Sequence, residues 1–169
     1  MNYIAKLSTA TKVKLGLIII LAAAVVSLLM APRSTPDSIL FPLKRVQEQI
    51  FLKFKTNPTS QVEYLSSLLN SRLEELSIMA ASKDHSYVLP SSSRYSSTAG
   101  TITQLIIDHR LANESKMATE LFSKHKQVLG RVLENYPKDT DTERKYIEDD
   151  INYLSIYIQQ LSNNLSASK

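Results

Sequence analysis

Ile147 to Leu165 reads IEDDINYLSIYIQQLSNNL, and its spacing decides the fold class. Ile147, Ile151, Leu154, Ile158, Leu161 and Leu165 recur at alternating steps of four and three, the seam of an α-helix packed lengthwise on its neighbours. Six such side chains left in water would forgo roughly 9 to 18 kcal/mol of transfer free energy, an upper bound before ordering entropy is counted. A solvated stripe is therefore excluded, and the seam demands partner helices. Tyr146, Tyr153 and Tyr157 flank it. Rings at the edge of a buried stripe commonly pack while their hydroxyls stay wet. The competing reading is an interface, because a second copy of the chain could fill a heptad seam as well as a helix of the same copy.

The partner helices lie upstream. Asn57 is a good N-cap followed by Pro58 in the first turn, and Ser60 with Glu63 offers an alternative capping box. Val62, Leu65, Leu69, Leu73, Leu76 and Ala80 then mark one buried face. Before it, Pro42 suits a helix start, and Val46, Ile50 and Phe54 fall at i, i+4, i+8 on a short amphipathic helix. A third helix is expected from about Thr101 to Tyr136, with Leu105, Ala112, Ala118, Leu121, His125, Val128 and Val132 near one face. Its weakly apolar centre, Asn113 to Lys116, marks a bend or a break. Thr140 and Glu143 form a capping box for the last helix. Ser82 to Gly100, rich in serine and containing Pro90, reads as a long loop, a mobile linker at that length and composition. The expectation is an all-α domain of about four helices over residues 42–166.

Ahead of this domain, Leu15 to Ala31 reads LGLIIILAAAVVSLLMA, without a charge. At about 1.5 Å per residue it spans roughly 25 Å, close to the hydrocarbon core of a bilayer. We read residues 15–31 as a transmembrane anchor, 1–14 as a short cytoplasmic basic segment and 32–41 as a linker. Lys6, Lys12 and Lys14 on the short flank orient the N-terminus inward and the helical domain outward. The alternative is a cleaved signal peptide, which would release a secreted helical ligand-binding protein. Against it, the apolar run exceeds the usual signal core, and cleavage after Ala31 would set Leu29 where a small residue is wanted.

That flank also explains the net charge of +4. Taking its three lysines from the 20 basic residues leaves 17 against 16 acidic ones. Basic residues are interleaved with acids along every helix, so no stripe for nucleic acid is expected. The absence of Cys removes disulfides and thiolate chemistry, and the three glycines form no phosphate-cradling loop. His85, His109 and His125 have no second His at helical ligand spacing, so no metal or cofactor site is expected, and they read as partly exposed side chains. Glu148, Asp149 and Asp150 read as a solvated acidic face. Serines occur in no nucleophile motif. No catalytic residue and no small-molecule substrate is indicated.

Pro36 to Arg45 reads PDSILFPLKR. With Arg72, Leu73, Glu74 and Glu75 further on, it resembles a bacterial family of exported helical domains of unknown function. That family opens with Pro, Asp or Gly, Ser, a variable residue, Leu, Tyr or Phe, then Pro-Leu-Lys-Arg. The motif residues here are Pro36, Asp37, Ser38, Leu40, Phe41, Pro42, Leu43, Lys44 and Arg45, followed by Arg72, Glu74 and Glu75. The resemblance implies a membrane segment before the motif, and through relatives with anti-sigma-factor-like membrane regions it implies envelope signalling, but no activity. Physically the motif calls for structure: a helix start, with Lys44 or Arg45 able to pair with Glu74 or Glu75. The sequence therefore predicts a single-pass protein, not an enzyme, whose exported helices bind a protein partner or another copy.

Overall fold

The structure, a computed structural model, describes residues 38, 39, 41–138 and 141–167, with only the backbone of Asp141 and of residues 165–167. The proposed anchor at 15–31, the cap at Thr140, the seam side chain Leu165 and the motif residues Pro36, Asp37 and Leu40 lie outside the described residues. Among those residues there are five α-helices: α1 (Phe41–Lys53), α2 (Pro58–Ala81), α3 (Val88–Asp108), α4 (Ala112–Asn135) and α5 (Asp141–Ala167). A 3-10 turn at His85–Tyr87 precedes α3. No described helix is long and apolar enough to cross a membrane. The chain divides into two compact units, residues 1–49 and 50–169, and the division falls inside α1.

In the first unit the described part is the start of α1. The Phe41 N–H donates to the Ser38 carbonyl at 3.0 Å, and Pro42 takes a first-turn position where no N–H is needed. Phe41 and Lys44 are buried. The apolar stripe expected to pack does the opposite: Val46, Ile50 and Phe54 are 52%, 47% and 77% exposed, with Phe51 beside them at 55%. The helix has two apolar faces, because at 100° per residue Phe41 and Leu52 fall almost opposite Val46, Ile50 and Phe54. Periodicity finds the richer stripe and does not say which one is covered.

The second unit is built on four long helices. α2 packs on α3, α3 on α5, α5 on α4, and α4 returns to α2. Asn57 caps α2 as expected, its side-chain oxygen accepting from the Thr59 N–H at 3.0 Å, with Pro58 opening the helix. All six residues assigned to its core face are buried. In α5, Ile147, Leu154 and Leu161 are fully buried, while Ile151 and Ile158 pack at the margin of the same core.

The serine-rich stretch is not a loop. α3 begins at Val88 and takes in five of the stretch's serines, of which Ser91 and Ser92 are buried. Its buried seam is Val88, Ser92, Tyr95, Ala99, Ile102 and Ile106, spaced by four, three, four, three and four. Small and polar residues occupy half of those places, so a hydropathy reading loses the period. The hydroxyls do not break the helix because they turn back on it: Ser96 donates to the Ser92 carbonyl, Thr98 to Arg94, and Thr103 to Ala99. Packing overrides serine's weak helix preference, and Pro90 sits in the first turn, where it does no harm.

The expected helix over 101–136 is in fact two. α3 ends at Asp108, and α4 starts at Ala112. Arg110 adopts φ 52°. The Leu111 N–H then donates to the Ile106 carbonyl and the Arg110 N–H to Ile107, the paired bonds of a Schellman stop. That position is usually Gly or Asn, so an Arg leaves no sequence signal. Asn113 to Lys116 lies inside the first turns of α4. There Ser115, Ala118, Phe122, His125 and Leu129 form the buried seam. Phe122 and Leu129 replace Ala112, which is exposed, in the expected face.

Candidate functional site

Three polar side chains from three helices meet in the second unit. His125 projects from the α4 seam and is 3% exposed, not partly exposed as its sequence context suggests. Its Nδ1 lies 2.9 Å from the Tyr95 hydroxyl of α3. Its Nε2 lies 2.9 Å from the Asn70 side-chain oxygen of α2. Asn70 Nδ2 donates to the Ser66 carbonyl at 3.1 Å, which fixes the oxygen as the atom turned to His125. That oxygen can only accept, so Nε2 carries the proton and Nδ1 accepts from Tyr95. The neutral ring is favoured further by burial, which pulls the His125 pKa down to about 4. Tyr95 is fully buried, and burial, then the nearby charge of Asp150, raises its pKa. Its hydroxyl therefore stays a donor. The rings of Tyr95 and His125 also stack with centroids 5.8 Å apart.

Asp150 corrects the reading of the acidic run. Glu148 is exposed and Asp149 half-buried, but Asp150 is 1% exposed. It falls three residues after Ile147 and four before Leu154, on the seam itself. Neither carboxyl oxygen has a hydrogen-bond partner among the described residues. Burial raises its pKa to about 7; the Ser92 and Ser96 hydroxyls oppose the shift and Asp149 adds to it. Both hydroxyls donate to backbone carbonyls, Ser92 to Tyr146 at 3.3 Å and Ser96 to Ser92 at 3.1 Å.

The stretch Arg72 to Glu75 bolts α2 to α3. Arg72 Nη1 donates to the Arg94 carbonyl at 2.8 Å and to the Thr98 hydroxyl. The buried Glu75 carboxylate faces Arg94 at 3.9 Å, and Arg94 also donates to Ser91 at 3.1 Å. Glu74 is exposed. In the opening motif Pro42 and Arg45 are exposed and Leu43 is half-buried. Of the three tyrosines flanking the α5 seam, Tyr153 and Tyr157 come together with ring centroids 6.4 Å apart. Tyr146 is half-buried and engages through its carbonyl.

Chemically, the Asn70, His125 and Tyr95 chain can lock three helices, and Tyr95 is fully buried. Among the described residues no three His, Asp or Glu side chains are grouped to hold a metal ion. On the outside, a shallow groove between α2 and α4 is floored by Val62, Ala118 and Leu121 and edged by Glu63, Glu114 and Lys124. Met117 stands over it, 65% exposed. His125 and Asp150 were both findable from spacing, since each occupies a seam position. Asn70 and Tyr95 carried no comparable signal, because their pairing joins residues 55 and 30 positions from His125.

Residues 33–139 match the family described as a domain of unknown function (DUF5667), and the chain belongs to that family. The matched stretch takes in α1 to α4 and ends before α5. No curated protein and no solved structure matches the chain.

Proposed function

We propose that this DUF5667 protein is a non-enzymatic, membrane-anchored helical interaction domain outside the cytoplasm, serving envelope sensing or scaffolding. One contrast carries the reading. Asn70, His125, Tyr95 and Arg72 are taken up in holding helices together, whereas large apolar side chains stand bare on the surface, most densely on α1. The anchor rests on the apolar run at 15–31, and the outward orientation on Lys6, Lys12 and Lys14. The Pro36 to Arg45 opening and the Arg72 to Glu75 element belong, on this reading, to a bacterial set of exported domains, and their role is structural.

On this reading the exported helices act through a protein partner or a second copy. The α2 and α4 groove under Met117 is the surface the second unit offers for that contact. A photo-reactive residue replacing Met117 should form a higher-mass adduct in intact cells. Recovery of monomer alone would count against the interaction role. Mass spectrometry of the N-terminus tests the anchor: a retained Met1 region supports it, and a chain starting near Pro32 overturns it.

A further inference from the structure

The outward face of α1 needs an occupant. Val46, Ile50, Phe51 and Phe54 share about 140° of the helix surface at 100° per residue, and each is close to half exposed or more. Gln47 is the one polar residue within that arc, and a helix displaying so apolar a face to water is under selection to cover it. Three observations bear on what covers it.

The first is size. Together these side chains expose on the order of 400 Å², about half of the roughly 800 Å² per partner that a stable protein interface buries. The second is charge. With Lys44 buried, α1 still carries Arg45 and Lys53 against Glu48 as its one acid, and Lys55 lies just beyond its end. The third is the tether. Nine residues, 32–40, separate the apolar run ending at Ala31 from Phe41, and fully extended they reach about 30 Å. A bilayer surface suits all three: it covers a narrow stripe without a matching protein patch, attracts a basic helix, and lies within reach.

We infer that α1 lies along the surface of an anionic lipid bilayer, with Val46, Ile50, Phe51 and Phe54 seated at the boundary between headgroups and acyl chains. This rests on the anchored reading above and adds a second, peripheral contact to it. Phe on one side of a basic helix is the composition of helices that lie in a membrane interface.

The chain has no Trp, so Phe51→Trp and Phe54→Trp each give a single fluorescent reporter. The full chain is placed in vesicles of phosphatidylcholine and phosphatidylglycerol, with and without brominated acyl chains, and alkaline carbonate extraction is run on the same sample. The expected result is at least a twofold loss of Trp fluorescence in brominated lipid at both positions, with the protein retained in the pellet. Retention with no quenching at either position overturns the inference and leaves the anchor standing. Retention with no quenching but with dimer captured by crosslinking assigns the stripe to a second copy, and overturns it too. Extraction into the supernatant with quenching intact sinks the anchored reading alone. Extraction without quenching sinks both.

Discussion

α3 and α5 pack side by side in the second unit, and they are made from opposite materials. The α5 seam is Ile147, Leu154 and Leu161, with Ile151 and Ile158 at its margin and one acid, Asp150, set among them. The α3 seam has Ser92 and Ala99 where α5 has large aliphatic groups, and it holds its one large polar ring, Tyr95, in a hydrogen bond to α4. The difference teaches that burial and hydropathy are separable. A helix of small residues can lie as deep as a helix of leucines when a bulkier neighbour supplies the volume, because interiors are filled jointly at near-crystal density.

The largest effect should come from emptying the bulky side. Leu154→Ala removes a fully buried side chain and should cost about 3 kcal/mol, within the 2–5 range for such truncations. Ser92→Ala on the facing helix deletes a hydroxyl that bonds the Tyr146 carbonyl at 3.3 Å, and should cost under about 1 kcal/mol. Urea unfolding of both variants checks the ratio. Equal losses would show that the two seams are energetically alike after all.

Legibility follows the same division. α2 could be read directly with its cap and core face, and α5 in its core face, because most of their buried positions are aliphatic. α3 could not, since serine and alanine at buried positions look like a loop until the facing volume is known. The stop at Arg110 was unreadable because an Arg holds the left-handed position. α1 was readable as a helix but not in its orientation, having two apolar faces. Of the polar interior, Asp150 and His125 sat on readable seams, and hydropathy alone hid them. The Arg72 to Glu75 element was noticed by resemblance, whereas its work, gripping Arg94 and Thr98 of α3, depends on a pairing that no local pattern encodes.

The next effect sharpens the comparison through pH. Asp150 on α5, with a folded pKa of about 7 against 3.8, favours folding fully below pH 4, and that contribution is lost as pH rises toward 7. His125, bonded to α3, runs the other way: with a folded pKa of about 4 against 6.5, its contribution is intact above pH 6.5 and is lost as pH falls toward 4. Over about pH 4 to 6.5 the two slopes oppose, so for this pair the wild type is nearly flat. Asp150→Asn should expose the His125 slope, making the protein gain stability from pH 4.5 to 6.5. His125→Gln should expose the Asp150 slope and make it lose stability over that range. Each limiting slope is about 1.4 kcal/mol per pH unit, so the variants should diverge by several kcal/mol in denaturant unfolding. Parallel profiles would show that neither group is held neutral in the folded state.

Tyr95→Phe tests the polar anchor of α3 with less force. The ring and its packing remain, but His125 Nδ1 loses its donor in a buried place, a loss of about 1 to 3 kcal/mol. Retention of the helices by circular dichroism, with a lowered melting temperature, is the expected outcome. No change in melting would mean that another donor reaches His125.

The smallest effect lies at the line where α3 touches α5. Gly100 sits inside α3, where Ala would gain about 1 kcal/mol of helix preference. A Cβ there would stand 3.0 Å from the Tyr157 hydroxyl of α5. That hydroxyl is the far end of a half-buried ring stacked on Tyr153, so it can tilt, but the tilt offsets part of the gain. Gly100→Ala alone should therefore change stability by only a few tenths of a kcal/mol. With Tyr157→Phe the hydroxyl is gone, and the same substitution should then recover most of the 1 kcal/mol. A coupling of this sign, read from the four-variant unfolding cycle, would make Gly100 the small partner that lets the bulkier helix in. Independence of the two changes would instead leave the glycine as a simple defect in α3.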